Sequence, residues 1–212
     1  MSVAPVEGTT PWRKGLEALA IALYRQAHGR SPTVEFGRVP AGYRASSGNS
    51  AKLVLAGARY RGGSLDGPDL AHLLGIPPLA PLTGDPEGPG WGGHSWSPWL
   101  PIGEASRSVD DAVGLYRIRG APDTRLLYIG QGKIAHRLRS HVRKVGRVDD
   151  RQGEVFASAP LEASWVAGEW LSHQRLELEV DLIAAHLLEA SRIPPVLFCG
   201  GVSYVTSSAE QR

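Results

Sequence analysis

Two tyrosines, an arginine, a histidine and a glutamate stand in the second half of this 212-residue chain at spacings that could bring them to one task. Tyr116 lies in the β-rich run VGLYRIR and Tyr128 in RLLYIG, and GAPDT between them predicts a hairpin. Alternation puts Tyr116 with Ile118 on one face and Tyr128 with Leu126 likewise, so both phenols can converge on one side. Ordinary cross-strand packing would also explain such a pair. Gly114 and Gly130, beside the tyrosines, leave room for a ligand or another backbone, which packing alone does not require.

The next run, KIAHRLRSHVRK, predicts a helix with Ile134, Leu138 and Val142 on its buried stripe. Lys133, Arg137, His141 and Lys144 recur beside that stripe at intervals of four, four and three residues, forming one basic line. A guanidinium on that line can hold a phosphate through two hydrogen bonds. A solvated basic face is the alternative. A longer helix is predicted over SHQRLELEVDLIAAHLLEA, opened by Ser172. Leu176, Val180, Ile183 and Leu187 share one arc of it, and Leu178 and Leu182 widen that arc. Glu177 and Asp181 fall opposite, where solvated carboxylates belong, whereas Glu179 and His186 fall inside the apolar arc. An isolated buried carboxylate is costly. A salt bridge to Arg137 or another base would relieve the cost. So would one hard divalent cation, which is the preferred reading.

These side chains need a scaffold. With LEASWVAG as a third strand, the order is β-β-α-β-α, an α+β catalytic unit over residues 106–200. Residues 1–100 read as a mainly helical N-terminal region. TTPWRKGLEALAIALYRQAHG predicts a helix with Thr10 as N-cap, Leu16, Leu19 and Leu23 recurring along it, and a stop at Gly29. A turn-rich loop follows, then a second helix over SAKLVLAGARYRGG and a short third over PDLAHLLG. A Gly/Pro/Trp-rich connection spans about 83–101, and its Trp91, Trp96 and Trp99 are too apolar for a free linker. It should pack against the body.

Composition narrows the class of partner. Cys199 is the only cysteine, which excludes intramolecular disulfides and a thiolate metal cage and suits a reducing cytoplasm. The N-terminus has no signal-peptide pattern, and no apolar run is long enough for a membrane span. Net charge is only +2, but two basic runs stand out. Between Arg30 and Gly62, five arginines and Lys52 face the single acid Glu35. Between Asp123 and Asp149 there is no acid at all. Separate acid-free runs in a near-neutral chain favour a polyanion. Candidate contacts to such a partner are Lys133, Arg139 and Lys144 in the second run and Arg38, Arg44, Lys52, Arg59 and Arg61 in the first. In the first run they are interleaved with Phe36, Tyr43 and Tyr60, a mixture suited to phosphate and base contact together. No phosphate-binding loop, nucleophile elbow or H-E-x-x-H pattern occurs. His28, His72 and His94 have no ligand spacing and read as surface or turn residues, and Cys199 as a small buried hydrophobe.

Gly114-Leu115-Tyr116 and Tyr128-Ile129-Gly130, followed by an arginine helix and a glutamate helix, resemble the GIY-YIG nuclease superfamily over roughly Val113 to Phe198. Leu115 stands where the family has isoleucine. The resemblance implies a metal-dependent DNA endonuclease. Tyr116, assisted by His141, would accept a proton from the attacking water, and Tyr128 would orient Tyr116 or touch the phosphate. Arg137 would contact the scissile phosphate. Glu179, in an E-x-x-L-I setting that EVDLI matches, would hold one Mg²⁺ or Mn²⁺ that stabilises the leaving 3′-oxygen. The histidine four residues after the arginine matches restriction-enzyme members, so double-stranded DNA is the expected partner. A dimer on DNA is one arrangement open to it. The alternatives are a structure-selective repair nuclease and a non-catalytic DNA-binding module on an inactive nuclease fold. Many members end the glutamate helix in a Pro-rich turn leading to an asparagine that braces the site; IPPVLFCGG has no such asparagine.

Overall fold

The computed structural model describes residues 5–33, 35–38, 40–41, 69–147 and 150–199. The expected second helix lies outside them, as do Arg44, Lys52, Arg59 and Arg61 with Tyr43 and Tyr60. Among the described residues the protein is a mixed α+β structure with a four-stranded antiparallel sheet and five α-helices. Helix α1 spans Thr10–His28, α2 Ile102–Ser108, α3 Ile134–Val142, α4 Arg151–Phe156 and α5 Ser172–Ala190. The strands are β1 Leu100–Pro101, β2 Val113–Gly120, β3 Leu126–Lys133 and β4 Leu161–Ala167, in the sheet order β1-β4-β2-β3.

The expected hairpin is β2–β3, with Tyr116 opposite Gly130 and Ile118 opposite Tyr128. Directly opposed residues share a face, so both tyrosines do stand on one side. Leu126 does not join them. A register shift between Ile118 and Arg119 sets Leu126 opposite Arg119. It packs in one cluster with Leu115 and Ile129, while Leu127 joins Tyr116 and Ile118 in the other. The first cluster lies under α5, with Leu178, Leu182 and Ile183; the second includes Ile102 of α2, Ile134 and Leu138 of α3, and Phe156 of α4. The sheet is thus buried on both faces, which fixes where the tyrosine rings can go.

Helix α1 begins one residue earlier than the sequence suggests. Thr9, not Thr10, is the N-cap, its hydroxyl accepting from the Trp12 N–H at 3.4 Å, and Gly29 closes the helix in the left-handed conformation as expected. The buried face is Gly15, Ala18, Ala22 and Arg25, whereas Leu23 is exposed. The reason is close packing: small residues let α1 approach α5, and Ala18 and Ala22 share its cluster. The third helix is not formed. Its described residues hold only a turn, closed by Leu73 N–H donating to the Leu70 carbonyl at 3.2 Å, before Gly75 and Pro77 break the pattern.

The Trp-rich connection packs against the body as expected. Trp91 and Trp96 are buried in the cluster that includes α5. The wholly buried Arg117 of β2 lies 4.3 Å from the Trp96 ring and 4.6 Å from that of Trp99. Burial lowers its guanidinium to about 9, and its Nη1 donates to the Pro86 carbonyl at 2.6 Å. Arg119 adds salt bridges to Glu87 at 2.8 Å and Glu162 at 2.7 Å. Among the described residues no helix is long and apolar enough to cross a membrane.

Candidate active site

The hairpin delivers the two phenols. Tyr116 and Tyr128 stack with ring centroids 5.9 Å apart and planes 18° from parallel. Gly130 makes this possible: a Cβ there would lie 2.6 Å from Tyr116 Cζ and from Tyr128 Cε1. At Gly114 a Cβ would collide with the Val166 carbonyl of β4. The space left by both glycines is therefore filled by protein atoms, the rings in one case and the neighbouring strand in the other.

Helix α3 brings two groups onto Tyr116. Arg137 Nε donates to the phenolic oxygen at 3.2 Å, and His141 Nε2 lies 2.9 Å from the same oxygen. Because a guanidinium can only donate, the phenol is free to give its own proton to Nε2, leaving the imidazole hydrogen on Nδ1. Nδ1 is buried without a hydrogen-bond partner among the described residues. Burial, aided by Arg137 and Lys144, lowers His141 to about 3. The ring is neutral near pH 7 and able to accept. Burial and the neighbouring Tyr128 push the Tyr116 phenol well up, with Arg137 pulling the other way. Burial raises Tyr128 too, and Glu179 adds to it.

The basic line on α3 is divided by this arrangement. His141 is buried, with the Phe156 ring of α4 set edge-on 5.5 Å away, whereas Val142, expected in the core, is 39% exposed. Helix α4, too short to declare itself by periodicity, covers the side of α3 that carries His141. Arg137 and Lys144 line an open cleft of about 510 Å³ together with Tyr128, His141 and Glu179. Lys133 and Arg139 are exposed but outside that lining.

Helix α5 forms the floor. Leu176, Glu179, Val180 and Ile183 face the cleft at helical spacing, so Glu179 does sit within an apolar stripe. Burial raises its carboxyl from 4.5 to about 7, with Arg137 offsetting part of the effect. Among the described residues no cation pairs with it. Glu177 and Asp181 depart from expectation, because α1 and the segments around Ser31 and Ile76 cover their side of the helix. Arg25 of α1 grips Asp181 with two hydrogen bonds of 2.8 and 2.9 Å and reaches Glu177 at 3.4 Å. Glu177 also accepts from Ser31 at 2.6 Å and from the Ile76 N–H at 2.7 Å. Arg38, expected on DNA, is turned inward to this carboxylate at 3.1 Å and is buried.

Two more histidines are buried, His94 against expectation and His186 in line with it. His94 is buried edge-on to Trp96 and Trp170, and burial lowers it to about 4. His186 is buried within the apolar arc but away from the cleft, its Nδ1 2.9 Å from the Arg192 carbonyl. Five residues that line the cleft escaped the sequence reading: Lys14, Ser140, Gln152, Leu197 and Phe198. Gln152 of α4 accepts from Lys144 Nζ at 2.6 Å and donates to the Val196 carbonyl at 2.8 Å. It ties the Pro-rich turn after α5 to the α3–α4 corner. No periodic or motif signal marks it.

Among the described residues no group of three or more His, Cys, Asp or Glu could enclose a metal. A single carboxylate in an open cleft instead fits a hard ion such as Mg²⁺, which keeps waters and shares its shell with substrate phosphate. No protein-family model, curated protein or solved structure matches this chain.

Proposed function

We propose that this protein is a divalent-metal-dependent endonuclease of the GIY-YIG type that hydrolyses phosphodiester bonds in double-stranded DNA. The observation that carries the reading is the contact of Arg137 and His141 with the Tyr116 phenolic oxygen, which is wholly buried directly behind the Tyr128, Arg137 and His141 side chains lining a cleft floored by Glu179. The order β2-β3-α3-α4-β4-α5 accommodates the β-β-α-β-α unit with one additional short helix. A purely packed tyrosine pair would not require a buried histidine and a guanidinium on one hydroxyl.

In this reading Tyr116, whose buried phenol is screened from the cleft by Tyr128 and His141, takes a proton from the attacking water as it passes its own to His141 Nε2. His141, held low by burial and by Arg137 and Lys144, is by itself a weak acceptor. A phosphate seated against those cations offsets their field and raises the affinity of His141 for the proton when it is needed. Arg137 stabilises charge developing on the phosphoryl oxygens while keeping its hydrogen bond to Tyr116. Tyr128 holds the Tyr116 ring by stacking. Glu179 is the residue to hold one Mg²⁺ or Mn²⁺, whose chemistry when bound is stabilisation of the leaving 3′-oxygen.

The Arg137–His141 pair supports the restriction-enzyme branch, acting on DNA in the cytoplasm. Lys144, Lys133 and Arg139 are proposed to contact the flanking backbone, and Arg44, Lys52, Arg59 and Arg61 to select the site. Incubation with plasmid, modified and single-stranded DNA, in Mg²⁺, Mn²⁺ or EDTA, tests the function. Metal-dependent cutting of duplex supports it. Cutting confined to forks or flaps replaces the restriction role with repair. Binding without cutting under all conditions refutes catalysis.

A further inference from the structure

The cleft has a second wall that belongs to α1. Lys14 lines it opposite the α3 cations, with its Nζ 5.4 Å from the centre of the Phe198 ring, which lines the same cleft. Arg25, further along the same helix, is outside the cleft and used by Asp181 and Glu177, whereas Lys144 lines the cleft while donating to Gln152 at 2.6 Å. Lys14 pairs with no carboxylate among the described residues. Phe198 has φ 61°, a left-handed backbone that bulky side chains rarely adopt. Its ring packs against the cluster that includes α5, which holds it as a platform, and a cation over an aromatic face keeps its charge.

Charge and size indicate what Lys14 meets. Lys14, Arg137 and Lys144 face the single carboxylate Glu179 in about 510 Å³, more positive charge and more room than one phosphate takes up. We infer that Lys14 binds a backbone phosphate next to the scissile one, so that α1 forms part of the substrate cleft. This rests on the nuclease reading for the identity of the ligand. Lys14 is then a positioning residue for the DNA strand, and Phe198 positions Lys14.

The test is equilibrium binding of the full chain to a duplex of fixed sequence in EDTA, across a range of salt, for wild type, Lys14→Ala, Lys14→Arg and Phe198→Leu. Loss of one phosphate contact should lower the magnitude of the log–log salt slope by about 0.9 in Lys14→Ala, with Lys14→Arg keeping the wild-type slope. Phe198→Leu should fall between them. In Mg²⁺, Lys14→Ala should raise the half-saturating DNA concentration several-fold and leave the maximal single-turnover rate within about twofold, since the contact is equal in ground and transition states. A shifted slope without any wild-type cleavage keeps the Lys14 contact and removes the nuclease reading. A slope unchanged in Lys14→Ala overturns the inference whatever the cleavage, and absence of wild-type binding overturns both.

Discussion

The phenolic oxygen of Tyr116 lies 2.9 Å from His141 Nε2 and accepts a hydrogen bond from Arg137 Nε at 3.2 Å, although the histidine is 25 residues away along the chain. Strand and helix meet here because Ile134 and Leu138 anchor α3 beneath the hairpin while α4 closes over His141. The neutral imidazole is held as an acceptor, and among the described residues the Tyr116 phenol is the hydroxyl it addresses.

Replacing Tyr116 by Phe keeps the ring stack and removes the oxygen. Single-turnover cleavage should fall by about 10²–10⁴-fold, the range of a lost general acid–base contact. His141→Ala should cost less, because water can reach the phenol in its place. The pH profile of kcat/KM, which reports the free protein, should show no inflection from His141 near the usual imidazole value, since burial with Arg137 and Lys144 lowers it to about 3. An inflection near pH 6.5 that disappears in His141→Ala would show the ring to be solvated.

Arg137 touches Tyr116 through Nε, leaving its two amino groups for phosphate. Arg137→Ala should slow the chemical step by about 10²–10³-fold. Arg137→Lys should remain impaired, as an ammonium cannot serve both partners in one plane. Full rescue by lysine, measured under single-turnover conditions, would mean that only a point charge is required.

Glu179 carries a sign that stability measurements can read. Its carboxyl is raised from 4.5 to about 7 in the folded chain. Between those values the unfolded chain releases the proton while the folded chain keeps it, so folding stability falls as pH rises through that window. In EDTA, Glu179→Gln should melt close to wild type at pH 4 and progressively higher than wild type toward pH 8. In Mg²⁺ the wild-type rate should rise toward pH 7, with the midpoint moving lower at higher Mg²⁺ as the ion competes with the proton. Parallel melting curves for the two proteins across this range would rule out a raised carboxyl.

Glu177, two residues earlier on α5, should behave in the opposite way. It is buried with Arg25, Arg38, Ser31 and the Ile76 N–H around it. Glu177→Ala leaves buried arginines uncompensated and should cost about 3–5 kcal/mol in denaturant unfolding, where Glu179→Ala costs little or stabilises. Equal effects of the two substitutions would contradict the assignment of one carboxylate to structure and the other to the cleft.

The hairpin, α3 and both ends of α5 were legible in the sequence because turn residues, strand alternation and helical spacing are local signals. The same periodicity set Glu179 in an apolar stripe, where it lies. Glu177 and Asp181 were misjudged for the converse reason: their partner Arg25 is more than 150 residues away, and nothing local shows that α1 covers that side. The leucines of α1 were likewise weighted over Ala18 and Ala22, since hydrophobicity does not reveal which face needs close approach. Helices α2 and α4, of seven and six residues, are too short to repeat a pattern. That His141 is buried was not legible, because α4, the element that covers it, was not visible.

The most direct measurement is conversion of supercoiled plasmid by matched amounts of wild type and Glu179→Gln in Mg²⁺, with wild type in EDTA alongside. Nicked or linear product from wild type in Mg²⁺ alone, with DNA affinity preserved in the variant, is the predicted result. Equal product from all three reactions, or none from wild type in any divalent cation while it binds the plasmid, would contradict the assignment of this cleft as a nuclease site.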